Sequence, residues 1–555
     1  MSEMKSRFTD GLAAIRGIRG LAEFAAILSA SIGLVIVPAV CAQGGRKPAQ
    51  TAAHSSSRPD VARFRARVES TLRTTNGGRD YWGMIVTDRD TGETLYETNA
   101  DHFFTPASNA KIFTTALALA TLGPTYRFHT TLESKAALGT DGHLPGDLIL
   151  VGRGDPDLSN RRIPYAGLPD RQGPAEKALA ELADAAVAKG LREVDGDVVA
   201  DDSYFPYDPY PADWSVGDLF FPFGAPVGAI VFNDNIVSVT IQPGDQEGDP
   251  AKITTSPAAA ISSFDFSIAT GPAGGNPDFA VVRDPSPNFI LLRGTIPAGH
   301  APFVIDLAMT RPAETAALAL KQLLEVRGVV VTGGTRILRS PPPETTASGE
   351  PVLSHIAPTD PNPTVLAERV SPQLFEAVRI TNKVSHNLHA ELLLRAVGRE
   401  KLGLASTAAG LKVERDFLRR AGVADGDVVL TDGSGLSRED LVTPRGVVAL
   451  LRYAASQPWG AFYVSSFPVA GMDGTLENRM RNSAASGLVQ AKTGEVEHVR
   501  ALSGYATTLR GEHLIFSVFY NNNPQKGSET AAPIDAIVTA MVETLGAGRP
   551  TAKTR

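Results

Sequence analysis

The chain has 555 residues, 43% of them hydrophobic and 20% charged, with a formal net charge of −7, which excludes an intrinsically disordered protein. No long lysine or arginine block is present, which argues against a nucleic-acid partner. The single cysteine excludes a disulfide framework or a cysteine-based zinc site, and the ten histidines read as scattered, with no close pair at metal-ligand spacing.

At the N-terminus, Lys5, Arg7, Arg16 and Arg19 precede an apolar run from Phe24 to Val40, and Val40-Cys41-Ala42 is followed by Gln43. This order predicts an export signal cut after Ala42. The alternatives are an uncleaved anchor, with the run at the short limit for spanning, and lipidation at Cys41, for which Val40 is a poor preceding residue. The expected location is periplasmic or otherwise extracytoplasmic. Gln43 to Pro59, rich in Gly, Ser, Ala, Gln and Pro, reads as a linker.

Val61 to Leu72 has helical spacing, and Tyr81 to Val86 with Thr94 to Glu97 flank Asp90-Thr91-Gly92 as a hairpin. A helix is predicted from near Ser108 to Gly123-Pro124. From about Arg127 to Ser340 the pattern changes to short strands: Asp147 to Val151, Gly196 to Ala200, Ile230 to Ile241, Phe279 to Arg283 and Phe289 to Arg293. Helical segments fall there at Ala175 to Ala188 and Glu314 to Val326. After Pro363 come helices at Leu374 to Ile380, Val384 to Ala396, Ser406 to Ala421 and Pro444 to Ala455. Strands follow at Leu488 to Lys492, Ala501 to Thr507 and His513 to Tyr520, then a helix from Ala532 to Leu545. Helices and antiparallel strands at both ends, with a strand-rich block between, indicate one α/β (α+β) domain interrupted by an insertion.

Three short motifs carry possible chemistry. In Ser108-Asn109-Ala110-Lys111 the serine and lysine lie one helical turn apart, where an amine of lowered pKa can activate the hydroxyl. Ser385-His386-Asn387 opens an amphipathic segment with Val384, Leu388 and Leu392 on one stripe. Lys492-Thr493-Gly494 puts a cation and a hydroxyl on an edge strand, where they can hold a carboxylate. Each has a plainer reading alone: Ser108 as an N-cap with Lys111 on the surface, Ser385 and Asn387 as caps, and a polar strand end. Ser286-Pro287-Asn288 is set aside as a proline turn, Arg153-Gly154-Asp155 reads as a turn, and Trp82, Trp214 and Trp459 read as packing residues.

Taken together and in this order, the three motifs are those of the penicillin-recognising serine acyltransferases. Their surroundings resemble the low-molecular-mass class C penicillin-binding proteins, D-Ala-D-Ala carboxypeptidases that are also endopeptidases. The resemblance rests on Pro106 to Lys111, Gly154-Asp155-Pro156, Asn382 to Asn387, Asp432 to Arg438, Gly471 to Leu476, Lys492-Thr493-Gly494 and Ala501 to Tyr505, and it runs from about Ala62 to Leu545. It implies a penicillin-binding/β-lactamase-like domain at 60–126 and 352–547, an insert at 127–205 and 305–351, a nested insert at 206–304 and a tail at 548–555.

It also implies the roles of the residues. Ser108 is the nucleophile, Lys111 its base, and Ser385 a proton relay. Asn387 binds a substrate amide, while Lys492, Thr493 and Gly494 receive the terminal carboxylate, with Lys492 lowering the pKa of Lys111. The backbone N–H groups of Ser108 and Glu495 form the oxyanion hole. Asp201 and Arg438 read the substrate's diamino-acid side chain. The partners are peptidoglycan peptides, with β-lactams as inhibitors, and neither metal nor cofactor is called for. Two departures stand out. Glu495 replaces the usual Ser or Thr and is expected to compete with substrate for Lys492, and His386 replaces a frequent Asp. The alternatives are a β-lactamase or esterase on the same scaffold, or a wall-binding protein without turnover.

Overall fold

The structure is a computed structural model that describes residues 58–283, 290–346, 350–352, 362–525 and 527–546. The export segment, the linker up to residue 57, Ser286-Pro287-Asn288 and the tail at 548–555 lie outside the described residues.

The two ends of the chain build one antiparallel sheet. Its strand order is Val489–Val496, Val499–Thr507, His513–Asn521, Tyr81–Asp88 and Thr94–Thr98. Alternation sends Ile85, Ala501, Tyr505, Ile515 and Phe519 into one core with the helix Lys111–Leu122 and its neighbours. Met84, Val86, Leu502, Phe516 and Val518 enter a second core on the opposite face. There the helix Pro59–Thr74 contributes Val61, Phe64 and Val68, and Ala532–Thr544 contributes Ile534, Val538 and Met541. The helical spacing of those residues is therefore the spacing of a covered face.

Between the ends, a mixed five-stranded sheet runs in the order Thr335–Ser340, Val198–Pro206, Leu148–Val151, His129–Ser134 and Thr364–Val370. It is packed by the helices Lys177–Ala188 and Pro312–Val326 in a separate core. Two three-stranded sheets are nested in this region, one centred on Ile236–Gln242 and one on Ile290–Pro297, and a short third is centred on Glu193–Val194. A smaller apolar cluster joins the insertion to the catalytic helices through Phe205, Trp214, Val227, Leu388, Leu392 and Leu436.

Several boundaries differ from expectation. Thr364–Val370, assigned from sequence to the catalytic part that begins at 352, pairs with His129–Ser134 and extends the insert sheet. Phe303–Ala308 pairs with Ile236–Gln242, so it belongs with the nested sheets beyond the expected limit at 304. The run from Ile230 to Ile241 is not one strand: Asn233, Asp234 and Asn235 take φ of 50°, 55° and 54°. Asn and Asp accept this left-handed region because their side chains bond locally. Here the Phe232 N–H donates to Asn235 Oδ1 at 2.9 Å, and Asn233 Nδ2 donates to the Ile236 carbonyl at 2.8 Å. The helix expected from Val384 starts later. Leu374–Lys383 ends, Ser385 turns to φ 59°, and His386 caps Asn387–Leu402.

Candidate active site

Ser108 sits in a 3₁₀ turn, Ala107–Ala110, that leads directly into the helix Lys111–Leu122. Its Oγ lies 2.8 Å from Lys111 Nζ, so the predicted one-turn juxtaposition is present. The Lys111 side chain is fully buried, and its ammonium also donates to Asn387 Oδ1 and to the Ser434 carbonyl, both at 2.6 Å. These three partners leave the Lys111 nitrogen a single position.

The Ser434 carbonyl is held by a loop that one carboxylate organises. Asp432 accepts the backbone N–H groups of Ser434 (3.1 Å), Gly435 (2.6 Å), Leu436 (3.0 Å) and Ser437 (3.0 Å). It also accepts Trp214 Nε1 from the insertion at 2.8 Å, so Trp214 supports the site as well as packing. Gly435 has φ 79°, and a Cβ there would lie 1.8 Å from the Ala107 carbonyl; this close approach to the nucleophile's own turn admits only glycine.

The other two motifs face this pair. Lys492 Nζ donates to Ser385 Oγ at 2.9 Å and to the Thr493 carbonyl at 2.8 Å. The Thr493 hydroxyl meets that of Thr475 at 2.9 Å, and Asn109 Nδ2 donates to the Lys492 carbonyl at 3.0 Å. A Cβ on Gly494 would stand 2.5 Å from the Pro106 carbonyl, so glycine lets the strand press against the nucleophile turn. The strand Val489–Val496 is the sheet edge. The Ala491 N–H points off that edge to the Pro468 carbonyl, and by alternation the N–H of Glu495 points the same way.

Burial pushes Lys111 down to about 7, while Asp432, Glu391 and Asp440 pull it back up. Lys492 is held well below the usual lysine range, by burial first and by Lys111 second. Both amines are thus lowered chiefly by desolvation.

Asn387 uses both ends of its amide, accepting from Lys111 and donating to the Phe223 carbonyl of the insertion at 2.8 Å. It therefore orients Lys111. Asp201 is buried and accepts from the Ser203 N–H (3.0 Å) and hydroxyl (2.5 Å), a bonded turn. Arg438 donates to the Glu497 carbonyl at 2.9 Å, just beyond the edge strand. The structure brings together Ser108, Lys111, Ser385, Asn387, Lys492, Thr493 and Gly494, and engages Asp201 and Arg438 with other partners.

The Glu495 carboxylate pairs across the sheet with Arg500 at 3.2 Å and stands half in solvent. Arg500 thus takes the place expected for Lys492 as its cation, which removes the basis for competition with substrate. Glu495→Gln is expected to change KM for a D-Ala-D-Ala peptide by no more than about twofold, because the carboxylate is half in solvent and its cation is Arg500, not Lys492. A tenfold drop in KM measured by D-Ala release would restore the competition argument.

Asn109, Thr475, Asp432, Ser434 and Phe223 were not among the expected site residues. Asp432 and Ser434 lie in a stretch that the resemblance covers, but they act through loop geometry and a carbonyl, and a Phe223 carbonyl carries no side-chain signal at all. The histidine reading also needs correction. His386 and His389 are three apart, with ring centroids 4.1 Å from each other, and both approach Asp234. These three side chains turn ligand atoms toward one point. Arg161, at 2.7 Å, and Arg171 already pair with the same carboxylate, and two guanidinium charges oppose a dication there.

Comparison with known proteins gives the family. The model of the D-Ala-D-Ala carboxypeptidase 3 (S13) family matches residues 64–541. A D-alanyl-D-alanine carboxypeptidase of Actinomadura sp. is 36% identical over 479 residues, covering 84% of this chain and 82% of its own. The D-alanyl-D-alanine carboxypeptidase DacB of Haemophilus influenzae is 27% identical over 443 residues, 79% of this chain and 85% of its own. The crystal structure of penicillin binding protein 4 (dacB) from Haemophilus influenzae superposes with a TM-score of 0.72 at 25% identity, covering 85% of this chain and 98% of that one. The chain belongs to the D-Ala-D-Ala carboxypeptidase 3 (S13) family, hydrolases built on the penicillin-binding fold.

Proposed function

We propose that the protein is an exported, penicillin-sensitive serine D-Ala-D-Ala carboxypeptidase and endopeptidase that cleaves peptidoglycan stem peptides through an acyl-enzyme on Ser108. The observation that carries this reading is the 2.8 Å contact between Ser108 Oγ and a fully buried Lys111 amine. Neutral Lys111 takes the hydroxyl proton as Oγ attacks the carbonyl of the penultimate D-Ala. The N–H groups of Ser108 and Glu495 hold the oxyanion; loss of one such donor costs about 10²–10³-fold in rate. Ser385 passes a proton to the departing amine, and Lys492 with Thr493 holds the terminal carboxylate. Asn387 keeps Lys111 aimed, and water then releases the acyl group.

Export is supported by the basic segment and apolar run before Gln43. Among the described residues no helix is long and apolar enough to cross a membrane.

A labelled penicillin tests this reading. A stable adduct with D-Ala release from a stem peptide supports it, rapid release of label indicates a β-lactamase, and no label indicates a binding protein. The same assay tests substrate selection by Asp201 and Arg438. Arg438→Ala is expected to lower kcat/KM for a meso-diaminopimelate peptide on the order of 10²-fold, and far less for a lysine peptide, with penicillin acylation retained. Equal losses on the two peptides would mean that the bond to the Glu497 carbonyl is the residue's whole role.

A further inference from the structure

The second motif is held from behind by a turn of the insertion. Ser385 occupies φ 59°, a conformation that a serine keeps only where its surroundings over-determine it. On the cleft side Lys492 holds its hydroxyl at 2.9 Å. On the far side the next residue, His386, faces Asp234, with Nε2 3.5 Å from Oδ2. His386 Nδ1 accepts the His389 N–H at 3.3 Å, which leaves Nε2 as the nitrogen that faces the carboxylate. His389 Nε2 reaches Oδ1 of the same carboxylate at 3.1 Å.

Asp234 is itself an over-determined residue. It is fully buried, lies in the middle of three consecutive left-handed residues, and is paired with Arg161 at 2.7 Å and with Arg171. Arg171 is in turn bonded to Asn233 Oδ1 at 2.7 Å. Burial keeps both histidines below their usual range, and the two guanidinium groups are balanced by Asp234 together with Asp170, which also pairs with Arg161.

We propose that Asp234 is a positioning residue: through His386 and His389 it fixes the Ser385-His386-Asn387 segment, and thereby both the hydroxyl at Lys492 and the amide that aims Lys111. The proposal rests on the acyl-enzyme reading above and adds the insertion to the machinery of the site. If the His386 ring is released, the peptide at Ser385 is free to relax to negative φ. Ser385 Oγ then leaves Lys492, and Asn387 Oδ1 leaves Lys111. A displacement of that kind, about 1 Å, costs up to about 10²-fold in rate.

Two variants at one position separate positioning from bulk stability. His386→Asn keeps a helix-capping side chain but is too short to reach Asp234, whereas His386→Gln has the reach and an N–H to donate. The second-order rate of penicillin acylation, kcat and KM for D-Ala release, and the thermal midpoint are measured for each, with Asp234→Asn alongside. The expected result is an acylation rate about tenfold lower in His386→Asn, with kcat falling and KM little changed. Recovery to within about threefold is expected in His386→Gln, with similar thermal midpoints for the two. Acylation at the wild-type rate in His386→Asn, or equal losses in both variants, would overturn the proposal. An adduct on the wild type with unaffected variants removes this inference alone; a wild type that forms no adduct removes the acyl-enzyme reading with it.

Discussion

Ser108→Ala should form no penicillin adduct and should lower D-Ala release by about 10⁴-fold or more, the scale seen when a nucleophile is removed from a catalytic unit. The site holds two serine–lysine pairs at nearly equal distance, Ser108 with Lys111 at 2.8 Å and Ser385 with Lys492 at 2.9 Å, so distance alone does not choose between them. The surroundings do. Ser108 precedes the helix Lys111–Leu122, whose first N–H groups favour developing negative charge. It also faces the sheet edge from which the Glu495 N–H projects. Mass spectrometry of the trapped protein should place the adduct on the peptide that contains Ser108 and Lys111. An adduct on the Ser385 peptide would reverse the assignment.

Lys111→Ala should reduce acylation by a similar factor, about 10³–10⁴-fold, because no other base stands beside Ser108 Oγ among the described residues. The wild-type pH profile tests the same residue without a substitution. Burial lowers Lys111 from an ordinary 10.5 to about 7, so below that pH it carries a proton and cannot accept another. The acylation rate should therefore rise with pH through about 7 and level off above it. A profile flat from pH 6 to 9 would show that Lys111 is not the base. Lys111→Arg should be as inactive as Lys111→Ala, since a guanidinium stays protonated throughout this range.

The legible part of this protein was the part written in side chains. Periodicity marked Pro59–Thr74 because it buries one repeating face, whereas Lys111–Leu122 and the C-terminal strands showed as apolar runs because they are covered on both sides. The catalytic motifs were legible because nucleophile, base and carboxylate clamp must be particular residue types. What the sequence hid was work done by backbone and by distant partners. The break at Asn233 to Asn235 lies inside an apolar run whose residues suit a strand, and only the local side-chain bonds reveal the turn. Ser385 read as helical because Val384, Leu388 and Leu392 share a stripe, although the chain turns between them. The exchange of Thr364–Val370 into the insert sheet depends on a pairing with His129–Ser134 that no local pattern announces.

The sheet that carries the site also sets the order in which the protein can assemble. Thr87 on the strand Tyr81–Asp88 bonds the carbonyl of Ile515, 428 positions later in the chain. Ser108 emerges from the ribosome early, but the strand that backs its turn, and the edge strand bearing Lys492, are among the last segments synthesised. The loop to be closed is most of the chain, a topology of high contact order that folds slowly. The insertion, with its own core, can form before that closure. A molecule interrupted late in synthesis would then carry a folded insertion and a complete nucleophile motif, with no sheet behind the serine and no catalytic competence.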